Sequence, residues 1–292
     1  MRKYMEIDTY FANPASTHYP GRVAKLKIVD SEKNISDFIN AKNGNIIWTS
    51  GATESNNLAI KGLIEASDRT KKHIITTSIE HKAVLDVCKY LSAKDENISV
   101  SYLDVDEHGR MDIEQLKSFI TEDTIMVSVM AVNNEVGTAN PIEQIGRITR
   151  EHDIVFHVDA AQGIGKVEVD VENMNIDLLS MSAHKCYGPK GVGALYVREG
   201  IELAEQIHGG GHQNAGDILF TLMPEFALSM SSACTAAADK PSHVLTALGL
   251  DAKQAASTLR ISFGCFTTDE DVHKLIKSLV DNVKLLRSIH KV

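Results

Sequence analysis

IDLLSMSAHKCYGPKGVGALYV (176–197) holds two apolar runs separated by a turn rich in glycine. The first run ends in Ser182-Ala183-His184-Lys185, and the second, VGALYV, begins at Val192. Short apolar runs bounded by glycine and proline are strands rather than helices. The stretch therefore predicts strand, turn and strand, with a lysine where the first strand stops. Upstream lie five more runs of the same kind: NIIWTS (45–50), KHIITTS (72–78), NISVSYL (97–103), TIMVSVMAV (124–132) and IVFHVDA (154–160). Helical spacing fills much of the chain between them, in GATESNNLAIKGLIEA (51–66), HKAVLDVCKYL (81–91), DIEQLKSFI (112–120) and PIEQIGRITREH (141–152), where Pro141 suits a first helical turn. Strands alternating with helices predict an α/β fold, a mostly parallel sheet with helices on both faces.

Past His208-Gly209-Gly210-Gly211 the pattern changes. The expectation is a large domain over 1–211 and a smaller α+β C-terminal domain over 212–292. Its last segment pairs Thr267 with Glu270 as a capping box, followed by an apolar stripe of Val272, Leu275, Ile276, Leu279, Val283 and Leu286.

Charge and cysteine usage exclude several classes. A net charge of −9 argues against a nucleic-acid partner. The four cysteines, at 88, 186, 234 and 265, have neither zinc-site nor disulfide-scaffold spacing, so no metal is expected and a reducing, cytoplasmic setting is. No apolar run approaches the about 18 residues of a membrane span.

The polar residues at the strand ends carry the chemistry. Lys185, in a pocket, could form a Schiff base with an aldehyde cofactor; a surface lysine is the plain alternative, and Lys190, between Pro189 and Gly191, reads as a loop lysine. Asp159 closes an apolar strand, and a buried carboxylate needs a partner. The protonated ring nitrogen of pyridoxal phosphate is one such partner, and a helix cap is the other reading. Gln162, three residues on, is placed to reach a ring hydroxyl. Ser50-Gly51-Ala52-Thr53 opens a helix, where backbone amides favour a phosphate; Ala52 and Thr53 are the candidate binders. His81 stands at a strand-to-helix junction as a stacking or proton-shuttling imidazole, or as a structural one. Asn133, Asn134 and Glu135 end another strand. Cys234 sits among Ser, Ala and Thr, where a mobile thiol is a nucleophile, while Cys88 lies in an apolar helical run and reads as a core residue. Arg260 is a basic residue in an apolar strand and calls for a carboxylate.

Together these segments resemble the NifS/IscS-like cysteine desulfurases of the class V aminotransferase superfamily, pyridoxal-phosphate enzymes of fold type I. The resemblance runs in order through TSGATESNNLAIKG, EHKAVLD, VNNEVG, HVDAAQ, SAHKCYGPKGVGALYVR, HGGG, SSACT and LRISFG. It implies that Lys185 bonds the cofactor, Asp159 pairs with its ring nitrogen and Gln162 contacts its ring oxygen. It implies that His81 stacks on the ring, that Ala52, Thr53, Ser182 and His184 bind the phosphate, and that Asn134 lies near the ring oxygen and substrate. Arg260 then takes the substrate carboxylate and Cys234 becomes the persulfide. The implied activity is removal of sulfur from L-cysteine, giving L-alanine and passing sulfur to an acceptor such as an iron-sulfur scaffold, with a homodimer as the working form. Two departures stand out: the opening strand and its Asp-, Ala- and Thr-rich loop are missing, and HQNAGD (212–217) replaces the Arg-Ser-Gly-Thr segment expected after HGGG. They keep open a non-catalytic homologue acting as a binding partner; selenocysteine lyase is the alternative chemistry.

Overall fold

The computed structural model describes residues 12–208, 229–230, 251, 259–260 and 267–290. The chain divides into two compact units, one of Glu32–His208 and one of Met1–Ser31 with Gly209–Val292. The first is built on a seven-stranded sheet of β1 (Asn45–Thr49), β2 (Lys72–Thr77), β3 (Ile98–Leu103), β4 (Thr124–Met130), β5 (Val155–Asp159), β6 (Leu178–Ser182) and β7 (Gly193–Val197). Their order across the sheet is β1-β7-β6-β5-β4-β2-β3. Pairing is parallel from β3 through β6, and β7 runs antiparallel to both β6 and β1. The expected mostly parallel sheet is therefore present, with one reversed strand. The connection between β6 and β7 holds only a 3-10 turn, Ala183–Lys185, too little for the crossover that a parallel neighbour requires.

Helices cover both faces. On one, α2 (Ala52–Ala66) and α3 (Lys82–Lys94) pack Ile60, Leu63, Val84 and Leu91 against Ile74, Met126, Leu178 and Leu195. On the other, α4 (Ile113–Phe119) and α5 (Ile142–Glu151) pack Leu116, Ile145 and Ile148 against Val127, Val129, Phe156, Val158 and Leu179. The period-two alternation of β5 sends Phe156 and Val158 to the second face. It leaves His157 and Asp159 on the first, the face of α2. Burying Ile145 alone removes enough apolar area to contribute about 1.5–3 kcal/mol.

Three sequence expectations need correction or addition. A helix, α1 (Tyr19–Phe38), was not foreseen; Gly21 is its only buried residue, so no apolar stripe announces it. The last helix, α6 (Asp269–His290), is capped by Thr268 and not by Thr267. Thr268 N donates to Asp271 Oδ2 at 3.0 Å and Asp271 N donates back to Thr268 Oγ1 at 3.2 Å, a capping box shifted by one residue. Within the expected stripe Leu275 is buried and Ile276 is exposed. A short antiparallel pair, β8 (Ser229–Met230) with β9 (Leu259–Arg260), is the other described element of the C-terminal region. No helix among the described residues is long and apolar enough to cross a membrane.

Candidate active site

The C-terminal ends of β1, β2, β4, β5 and β6 open on one cavity of about 580 Å³. Ala52, Thr53, His81, Asn134, Asp159, Gln162, Ser182, His184 and Lys185 all line it. Residues from five separate strand-to-helix or strand-to-turn junctions thus meet at one place, where ligands bind in open α/β sheets. Cys234 lies outside the described residues. Arg260 is placed in β9, and its side chain is likewise outside them.

Asp159 is the buried floor of the site. Its Oδ2 accepts from Asn56 Nδ2 at 2.7 Å and its Oδ1 from Ala161 N at 2.9 Å. Burial pushes its carboxyl above the ordinary value, while those two donors and the His81 charge pull it back down. Among the described residues no cation is paired with it. The carboxylate is thus prepared for a cationic N–H brought in by a ligand, and the helix-cap reading fails because only turns follow β5.

Across the cavity α2 begins at Gly51 with no side chain capping its first turn. Glu54, which could have supplied a cap, turns back to accept from Ser50 N at 2.8 Å and from its hydroxyl. The first amides of α2 therefore remain available to an anion. Gly193 lets β7 lie close against the turn before α2: a Cβ there would stand 2.6 Å from Gly51 Cα, so any side chain would push the two apart. Ser182 Oγ and His184 Nδ1, 2.9 Å apart, add a hydroxyl and an imidazole beside Gly51.

Lys185 ends the 3-10 turn, exposed and without a hydrogen bond or ion pair among the described residues. It shares the cavity wall with Asp159, whose strand pairs with β6 in parallel with Asp159 opposite Ser180. Lys190, expected to be a plain loop lysine, also lines the cavity. His81 caps α3 by accepting from Ala83 N on Nδ1 at 3.1 Å, which places its ring proton on Nε2. His81 thus caps α3 and also lines the cavity. Asn133 is structural: its amide donates to Ile79 O at 2.9 Å and its oxygen accepts from Glu135 N and Val136 N, leaving Asn134 to face the cavity. Gln162 lines the site while accepting from Lys166 Nζ at 2.9 Å. Cys88 is fully buried and its thiol is pushed up to about 12, as suits a core residue.

Three contributors escaped the sequence reading. Asn56 holds Asp159; its signal was a polar residue on the α2 face that also carries the buried Ala59, Ile60 and Leu63. His157, two residues before Asp159, is fully buried between Ser128 Oγ at 2.8 Å and Ser180 Oγ at 2.9 Å, and burial drops it to about 3, so it stays neutral. Glu80, beside His81, is buried as well.

An uncapped helix start, a buried carboxyl and an exposed amine around one cavity fit the phosphate, the ring nitrogen and the aldehyde carbon of pyridoxal phosphate. Comparison with known proteins agrees with that geometry. Residues 1–217 match the family described as Aminotransferase class-V. The chain is 37% identical to the cysteine desulfurase IscS of Pseudomonas aeruginosa, with 99% of this chain and 89% of the relative covered. It is 38% identical to the IscS of Vibrio campbellii with the same coverage. Those alignments extend over 363 positions against a chain of 292, so the relatives carry interior segments that this chain lacks. Among solved structures, SspA in complex with cysteine is 36% identical with a TM-score of 0.68, over 91% of this chain and 94% of that one. A NifS-like protein is 29% identical with a TM-score of 0.66, over 94% of this chain and 92% of that one. The chain belongs to the IscS/NifS-like cysteine desulfurases, pyridoxal-phosphate enzymes of fold type I within the class-V aminotransferase superfamily.

Proposed function

We propose that the cavity is the desulfurase active site, with L-cysteine as substrate and L-alanine as product, and with sulfur leaving on Cys234 toward an acceptor protein such as an iron-sulfur scaffold. The observation that supports it best is the meeting of Lys185, Asp159 and the uncapped start of α2 around one cavity. Pyridoxal phosphate, when bound, supplies an aldehyde carbon and an electron-withdrawing ring. Lys185 is the amine that would hold that carbon, and its free amine would move the proton at the substrate α-carbon. Asp159 holds the positive charge at the ring nitrogen, fixed by Asn56 and Ala161. Ala52 and Thr53 offer backbone amides to the phosphate, with Ser182 and His184 beside them. His81 would lie against the ring with its Nε2 proton available, and Asn134 and Gln162 would contact the ring oxygen. Arg260 binds the substrate carboxylate. The Cys234 thiolate attacks the substrate sulfur; the S–S bond forms as the C–S bond breaks, and the electron pair leaves with carbon, which is protonated to alanine. In this reading 1–211 bind the cofactor, 212–292 carry the cysteine loop, and two copies form the working dimer.

The test is incubation of the protein with pyridoxal phosphate and L-cysteine, followed by amino-acid analysis and intact-mass spectrometry. Alanine and an added sulfur atom in equal early yield are expected. Bound cofactor with neither product would favour a non-catalytic homologue.

A further inference from the structure

We propose that Glu80 is a positioning residue which carries its own proton on Oε2, so that Asp159 is the single anion of the buried floor. Glu80 follows β2, where the chain turns toward α3, and is buried. Its Oε1 accepts from Met130 N at 2.9 Å and from Thr77 Oγ1 at 2.8 Å. Ladder pairing between β2 and β4 ends at Thr76 opposite Ser128, so the Met130 amide has lost its strand partner there. The Glu80 carboxyl replaces the missing carbonyl and holds the end of β4 to β2.

Met130 is also the residue opposite Asp159 in the pairing of β4 with β5, and Ala131 N donates to Asp159 O at 2.9 Å. Glu80 therefore fixes the strand end that in turn fixes Asp159. Its second oxygen, Oε2, is buried with no donor, as is Asn56 Oδ1. A carboxylate with an orphaned charged oxygen in a dry site is strongly disfavoured. A proton on Oε2 converts one of these unmatched acceptors into a donor. The titratable groups around it are Asp159 on β5, Cys88 on α3 and the neighbouring His81, and no Lys or Arg among the described residues pairs with it. Burial first, and then the Asp159 charge, push its carboxyl to about 8 against the pull of Met130 and Thr77. Two buried carboxyls one strand apart do not both ionise readily.

The sign of the pH effect follows. A carboxyl raised in the folded state stabilises the fold fully below its unfolded value, and that contribution is lost as pH rises toward about 8. Glu80→Gln keeps an oxygen acceptor for Met130 and Thr77 and puts a permanent donor in place of the protonated Oε2. We expect cofactor-free E80Q to fold and to lack an infrared carboxylic-acid band that the wild type shows at pH 7. Between pH 6 and pH 8 the melting temperature of the wild type should fall further than that of E80Q, by on the order of 5 °C. An E80Q protein that does not fold, identical infrared spectra, or parallel melting profiles would each overturn the proposal. It rests on the cofactor reading only for what Asp159 faces. The measurements use no cofactor, so their failure would leave that reading standing.

Discussion

Lys185→Ala should leave a folded, colourless protein that forms no alanine from cysteine, with turnover reduced at least about 10²–10⁴-fold. The expectation comes from position. Lys185 is an exposed amine without a partner among the described residues, on the wall of a cavity whose floor is the buried carboxyl of Asp159. It sits at the end of β6, while the charged cluster of Arg150, Asp177 and Arg198 that anchors the same strand lies at the sheet's other end. Removal of the Lys185 side chain breaks no hydrogen bond, so the melting temperature of the cofactor-free protein should stay within the small range of a surface change, about ±0.5 kcal/mol in stability. Loss of the visible band with unchanged folding is the paired readout. If the band survives, the amine is another, and Lys190 on the same wall is the one to examine.

Cys234→Ala should have the second large effect, on a different step. Cofactor absorbance should be unchanged, while added sulfur on the protein disappears and alanine formation falls to background. Cys88 is sealed in the core with its thiol pushed up to about 12, which removes it as a nucleophile. Cys186 is exposed, but it follows Lys185 directly in the turn and donates to Ala183 O at 3.3 Å. Cys234 lies among small residues in SSACT, a setting suited to a thiol that travels. Intact-mass spectrometry of the variant after exposure to cysteine is the check. Sulfur retained on the C234A protein would shift the acceptor role to Cys186 or Cys265.

The large unit was legible because its strands are short, apolar and punctuated. The structure adds the face: Phe156 and Val158 pack in the core on one side of β5, and Asp159 meets Asn56 of α2 on the other. The strand ends were legible for the same reason: a polar residue that terminates an apolar strand has to point at something. The reversed strand β7 was not stated from sequence, although the brevity of the turn before it decides the direction. Helix α1 was missed because it buries almost nothing, and a surface helix without a stripe leaves no periodicity to read. The Thr267 cap was off by one because Thr267-Thr268 and Glu270-Asp271 offer two overlapping boxes, and the choice between them is made by the start of α6. Asn56 and Glu80 escaped for a more general reason. Each acts through another residue, Asn56 on Asp159 and Glu80 on Met130, and partners far apart in sequence are set by the fold. The same holds for His157, whose two serines come from the strands on either side.

The amine of Lys185 and the buried acid of Asp159 line a single cavity, and the proposed function has them hold one aldehyde ring together. Borohydride reduction of the pyridoxal-phosphate-loaded protein, followed by peptide mass mapping, tests it most directly. A single reduced pyridoxyl label is expected on the peptide containing Lys185, and none after Lys185→Ala. A label on Lys190 or on a lysine outside the cavity would contradict it.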